Sequence, residues 1–128
     1  MKIAFDTNMI VRMVALDDEI HLKKILGIVE QHGVKDIFIC YGILIEAYFV
    51  LTKGYKFSKE KTLDDFEDLL KIEQFSFEHE TAIRLAIAKS RKGFGFYDAL
   101  IGEIGSAKNI KTKTFDKGLK GNSSFDVL

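Results

Sequence analysis

Two hydrophobic periods alternate along the chain and divide it into strands and helices. Near the start, Ile3-Ala4-Phe5 is a short apolar run ending in Asp6 and followed by Thr7-Asn8 and Met9-Ile10-Val11. This reads as a buried parallel strand feeding a helix, with Thr7 or Asn8 as its cap and an end near Ala15. Asp17-Asp18-Glu19 opens a second helix with acids on its positive end. There Leu22, Ile25, Leu26 and Val29 keep the spacing of one inward face, and Gly33 supplies a stop. Ile37 to Cys40 predicts a second buried strand. Leu44, Ala47, Tyr48 and Leu51 then return to the helical period over Tyr41 to Lys53. Ser58 opens a helix with Leu63, Phe66 and Leu70 inward, Ile72 to Phe77 is a short strand or extended link, and Glu78 to Ser90 is a helix carrying Ile83, Ala86 and Ile87. The glycine-bearing stretch Lys92-Gly93-Phe94-Gly95 approaches a helix from Asp98 to about Lys108, stopped at Asn109. Ile110 to Phe115 alternates as a strand ending at Asp116, a helical turn with Leu119 follows, and Phe125 to Leu128 adds an edge strand. Strands alternating with helices predict an α/β fold with a mostly parallel sheet covered on both faces.

Length and composition narrow the class. A chain of 128 residues with 47% apolar and 30% charged residues is a folded protein, expected as a single domain over 1–128. Nineteen basic and nineteen acidic residues cancel, so nucleic acid binding must use local patches. The lone Cys40 has no internal partner for a disulfide and reads as a small buried hydrophobe. The N-terminus lacks signal-peptide features, and the longest apolar stretch, Ile37 to Leu51, is broken by Gly42 and Glu46. A cytoplasmic protein without membrane association is expected.

Four acids stand where a surface charge is not expected. Asp6 ends the first strand, Glu46 interrupts an apolar helix, Asp98 begins a helix after a glycine arch, and Asp116 ends the last clear strand. Strand ends and the helix starts that follow them share one edge of a parallel sheet, so three of these acids can meet there. Glu46 joins them if its helix leans over that edge. Each has a structural reading as well: Asp98 as a helix cap, Asp116 as a turn residue, Asp6 as a cap competing with Thr7 and Asn8. Glu46, set among Leu44, Ile45, Ala47 and Phe49, is expected to be buried and so to need a partner or a cation, unless that helix carries an exposed stripe. Converging carboxylates repel one another, and a divalent cation removes the conflict. All-oxygen donors suit Mg²⁺ or Mn²⁺, whereas zinc sites usually need His or Cys, and His21, His32 and His79 show no zinc spacing. Such an ion activates water against a phosphodiester. No phosphate loop, dinucleotide fingerprint or nucleophile elbow is present.

Four strings carry a resemblance. Phe5-Asp6-Thr7-Asn8, Ile45-Glu46-Ala47-Tyr48-Phe49-Val50-Leu51, Tyr97-Asp98-Ala99-Leu100-Ile101 and Thr114-Phe115-Asp116-Lys117 occur in this order over nearly the whole chain. Together they resemble the PIN-domain family, and within it the VapC-type ribonuclease toxins. The resemblance implies a three-layer α/β/α sandwich and a Mg²⁺- or Mn²⁺-dependent endoribonuclease acting on RNA. It also implies an acid cluster of Asp6, Glu46, Asp98 and Asp116 that is both catalytic and metal-binding, with Thr7, Asn8 and Thr114 as supporting polar groups. A homodimer and a small cognate antitoxin that blocks the acidic groove are further implications. The chain departs from the pattern at Gly102-Glu103-Ile104-Gly105-Ser106, where similar proteins usually carry alanines, and Glu103 is an extra acid facing either the site or solvent. The basic residues Arg12, Lys53, Lys56, Arg84, Arg91, Lys92, Lys113 and Lys117 are scattered, and most are expected to be solvated surface. The alternatives are a catalytically weak PIN fold that binds RNA or protein, and a flavodoxin-like phosphoryl receiver. The receiver is disfavoured because Asp6 has no acidic neighbour.

Overall fold

A computed structural model describes all 128 residues, which form two compact units, Met1–Glu78 and His79–Leu128. The first unit is built on three parallel strands, β1 (Ile3–Ala4), β2 (Ile37–Ile39) and β3 (Phe75–Phe77), in the order β1-β2-β3. Ile3 lies opposite Ile37, and Ile37 and Ile39 lie opposite Phe75 and Phe77. The central strand is the apolar one, with Ile37 and Ile39 fully buried, as a parallel strand covered on both faces requires. Phe5 and Phe75 meet edge to face with centroids 5.6 Å apart, an arrangement that aromatic quadrupoles favour.

β1 departs from the buried strand expected at the start of the chain. It is a sheet edge in which Ile3 is half-buried and Ala4 exposed. Its regular part is two residues long, yet the Lys2 and Phe5 N–H groups donate to the Asp36 and Phe38 carbonyls and extend the pairing on both sides. Phe5 alone supplies the deep anchor of this segment.

Helices α1 (Thr7–Ala15) and α2 (Glu19–Glu30) link β1 to β2, and α3 (Tyr41–Phe49) and α4 (Lys59–Leu70) link β2 to β3. Asp6, rather than Thr7 or Asn8, caps α1: its backbone is extended and its Oδ1 accepts from the Met9 N–H at 3.1 Å. Thr7 is instead the first helical residue and is buried. Asp18 caps α2, whose inward face is Ile25 and Val29, while Leu26 is exposed. Helical register explains this, because Leu26 is one residue, or about 100°, beyond Ile25. The expected single helix over Tyr41 to Lys53 changes character at its end, where Val50–Gly54 forms a π-helical turn. Leu44, Ala47 and Leu51 are buried as the period predicts, and so are Leu63, Phe66 and Leu70 on α4. Cys40 is half-buried just before α3 rather than buried.

The second unit pairs α5 (Glu80–Arg91) with α6 (Phe96–Ser106) and adds two parallel strands, β4 (Thr112–Thr114) and β5 (Phe125–Val127), with Thr112 opposite Phe125. Ile83, Ala86 and Ile87 are buried on α5, and Phe96, Ala99 and Leu100 on α6. α6 begins two residues earlier than expected, capped by the extended Gly95, which moves Asp98 from a cap position into the first turn. Asn109 ends the helical segment in the left-handed conformation (φ 58°), one that Asn tolerates better than most residues. Every strand pair in both units is parallel, as the α/β reading expects. No helix is long and apolar enough to cross a membrane.

Candidate active site

Of the four candidate carboxylates, Asp6 and Glu46 belong to the first unit, and Asp98 and Asp116 to the second. Asp6 follows β1 at the carboxyl edge of the parallel sheet, where open α/β folds bind ligands. The Met9 N–H fixes its Oδ1, so the carboxylate is held at the mouth of α1 while remaining exposed. Glu46 lies on α3, which packs against α1. It is exposed, not buried as its apolar neighbours led us to expect. The helical period is the reason: Glu46 is two residues, about 200°, from Leu44, so it lies opposite the buried Leu44–Ala47–Leu51 stripe. The burial penalty invoked for Glu46 therefore does not act.

In the second unit Asp98 sits half-buried in the first turn of α6, a position where the helix dipole favours a negative charge. Asp116 is presented by a small polar relay. Its N–H donates to Thr114 Oγ1 at 3.0 Å, and its Oδ1 accepts from the Gly118 N–H at 2.8 Å. A Cβ at position 118 would lie 3.1 Å from Asp116 Oδ1, so glycine lets the carboxylate fold over the 3₁₀ turn Lys117–Leu119 that follows. Thr114 thus shapes the turn beneath Asp116.

None of the four carboxylates takes part in an ion pair, whereas Asp17, Asp65, Glu80, Glu103 and Asp126 each have a cation. Four uncompensated, hard oxygen donors fit Mg²⁺ or Mn²⁺ by type. Within neither unit do three His, Cys, Asp or Glu side chains gather into a metal-holding group.

Two arrangements escape a reading of the sequence. Glu103 faces neither the site nor solvent: it is buried, pairs with Lys89, and accepts from Ser124 Oγ at 3.1 Å. Lys89 also donates to Asn122 Oδ1 at 2.9 Å and to Ser124 Oγ at 3.0 Å. The neighbouring Gly102 faces β5 so closely that a Cβ would lie 2.5 Å from Phe125 Cε2, which accounts for glycine where an alanine pattern is expected. The second arrangement joins Arg12, Asp17 and Tyr55. Arg12 Nη1 donates to Asp17 Oδ1 at 3.1 Å, and the Tyr55 hydroxyl donates to Asp17 Oδ2 at 2.8 Å. The Tyr55 hydroxyl, followed by Arg12, holds the Asp17 carboxyl below the usual carboxylate range, while the bond to Asp17 raises both the Tyr55 phenol and the Arg12 guanidinium. No periodic pattern announces a partner 43 residues away.

The family model of the PIN domain matches residues 3–122, a range that takes in residues of both units. The chain belongs to the PIN-domain family. With that membership comes the family's α/β/α fold class, as expected from the four strings. PIN domains are generally nucleases, so the family also supports a hydrolase. Among solved structures, the chain is similar to one in VapBC2 from Rickettsia felis bound to a DNA fragment from their promoter. The identity is 18%, coverage is 100% of this chain and 98% of that one, and the TM-score is 0.42. It is also similar to a chain of a toxin-antitoxin complex from Klebsiella pneumoniae, with 13% identity, coverage of 99% and 97%, and a TM-score of 0.37. No curated protein matches this PIN domain.

Proposed function

We propose that this PIN domain is an endoribonuclease of VapC type that hydrolyses RNA phosphodiesters with Mg²⁺ or Mn²⁺, residues 1–128 acting as one nuclease domain. The observation that carries the reading is the state of Asp6, Glu46, Asp98 and Asp116. These are the acids of the four PIN-like strings, and each lacks a cationic partner while many other acids of the chain have one. Unpaired carboxylates that are partly anchored by backbone N–H groups, as Asp6 and Asp116 are, keep a second oxygen free without a large loss of side-chain entropy. When bound, the ion supplies Lewis-acid activation of water and offsets charge on the phosphoryl oxygens in an in-line displacement. Asp6, Asp98 and Asp116 would hold the ion directly or through water. Glu46, which like Asp98 has no hydrogen bond on its carboxylate, would orient the ion or the attacking water. The water oxygen bonds to phosphorus as the bond to the leaving ribose oxygen breaks.

VapC type carries with it a small cognate antitoxin covering the acidic groove and a homodimer, both resting on the same four strings, while a cytoplasmic setting rests on the lone Cys40 and the broken apolar stretch Ile37 to Leu51. The test is cleavage of a structured RNA with Mg²⁺ or Mn²⁺ by the wild type and by Asp6→Asn. Loss of a ligand lowers activity on the order of 10²-fold or more, and equal cutting by both proteins assigns the activity to a contaminant or another site.

A further inference from the structure

A cavity of about 360 Å³ opens beside Asp6, between α1 and α2. Asp6, Met9 and Arg12 line it from the α1 side, and His21, Lys24 and Ile25 from α2. Met9 and Ile25 make its floor apolar, while Arg12, His21 and Lys24 place cationic or protonatable groups around it. The guanidinium is preorganised: Nη1 is shared between Asp17 and Tyr55 OH (3.4 Å), which leaves Nε and Nη2 as unused donors. Asp18 Oδ2 lies 2.9 Å from His21 Nδ1, leaving Nε2 free, and Lys24 makes no ion pair at all. An apolar floor rimmed by unspent donors is complementary to a nucleotide, whose base buries its apolar face against Met9 and Ile25 and whose phosphate takes charge-assisted hydrogen bonds. Arg12 lies six residues, or about 9 Å of helix rise, from Asp6. The cavity therefore extends away from that carboxylate instead of enclosing it.

We propose that this cavity is an RNA subsite holding the nucleotide next to the phosphodiester bound at Asp6. Arg12 and Lys24 contact its phosphate, and Asp17 and Tyr55 act as positioning residues for Arg12. The proposal rests on the endoribonuclease reading and deepens it. It is tested by anisotropy titration of a fluorescent single-stranded oligoribonucleotide against the full chain carrying Asp6→Asn, without metal and at several salt concentrations. Lys24→Gln, at an exposed position, is expected to weaken binding about 3- to 10-fold at low salt and to lower the salt slope by about 0.7, the contribution of one phosphate contact on a single strand. Arg12→Met is expected to weaken it about 10-fold or more. In the otherwise wild-type protein, Tyr55→Phe is expected to raise KM more than it lowers kcat.

Unchanged affinity and slope for both Lys24→Gln and Arg12→Met overturn the subsite while leaving metal-dependent cleavage untouched. Weakened RNA binding in a protein that never cuts overturns the nuclease reading and leaves the subsite standing. If Lys24→Gln loses an oligoglutamate peptide but not the oligonucleotide, the cavity belongs to an acidic protein segment and the proposal is wrong.

Discussion

Replacing Gly102 with alanine sets two effects of known size against each other. In a helix interior the substitution ordinarily stabilises by about 1 kcal/mol, because glycine gives up more backbone entropy. Here the new Cβ would lie 2.5 and 2.9 Å from Phe125 Cε2 and Cζ, and 3.1 Å from Ser124 Cβ. Carbon atoms pack best at about 3.5–4.0 Å, so the ring must retreat by roughly 1 Å. It has little freedom to do so. Phe125 is 8% exposed and pairs with Thr112, and the adjacent Ser124 is tied to Lys89, Glu103 and Ser106. Overpacking of this kind costs about 1–3 kcal/mol. The net expectation is a loss of about 1 kcal/mol, read as a lower urea midpoint with unchanged slope and a fall in Tm of a few degrees. In a Phe125→Leu background, which removes the clashing ring atoms, the same substitution should become stabilising by about 1 kcal/mol, a coupling of roughly 2 kcal/mol between the sites. A Gly102→Ala protein more stable than wild type, by the same amount in both backgrounds, refutes the close-approach argument.

Glu103→Ala removes one partner of a pair in which the glutamate side chain is 6% and the lysine 24% exposed. Breaking a fully buried pair costs about 3–5 kcal/mol; with Lys89 partly solvated and still bonded to Asn122 and Ser124, about 2–3 is expected by urea unfolding, and less for Glu103→Gln, which keeps an acceptor. Asp6→Asn preserves the α1 cap and should melt within a degree or two of wild type, whereas Asp6→Ala should lose about 1 kcal/mol, so only the alanine variant confounds folding with activity. For Asp17, whose carboxyl is depressed in the folded protein, the stabilising contribution is present above the unfolded pKa of about 3.9 and is lost as pH falls through the lower folded value. The melting difference between wild type and Asp17→Asn should accordingly be seen at neutral pH and narrow below about pH 4. Mn²⁺ at 100 times its Kd should stabilise the wild type by about 2.7 kcal/mol and leave Asp6→Asn nearly unmoved in a thermal scan.

What the sequence determined by itself is whatever depends on neighbours along the chain. The Leu63–Phe66–Leu70 and Ile83–Ala86–Ile87 faces, the Ser58 cap, the Asn109 stop and the parallel α/β class were all legible, because helical period, capping and strand alternation act over a few residues. The four acids stand out in the sequence only as types in an order, and the PIN family is shown by the match of its model over residues 3–122. Tertiary structure decided the rest, because burial and pairing are long-range. Apolar neighbours in sequence suggested a buried Glu46, yet its helix turns it outward; Glu103, in a small-residue helix, became a buried ion-pair partner. Lys89 meets Asn122, and Arg12 meets Tyr55, across 33 and 43 residues. The cavity beside Asp6 exists only because α1 and α2 fold back on each other, bringing Arg12, one of the scattered basic residues of the sequence, to the same cavity as His21 and Lys24. A local pattern says which face a residue occupies, but only the packed chain says what that face meets.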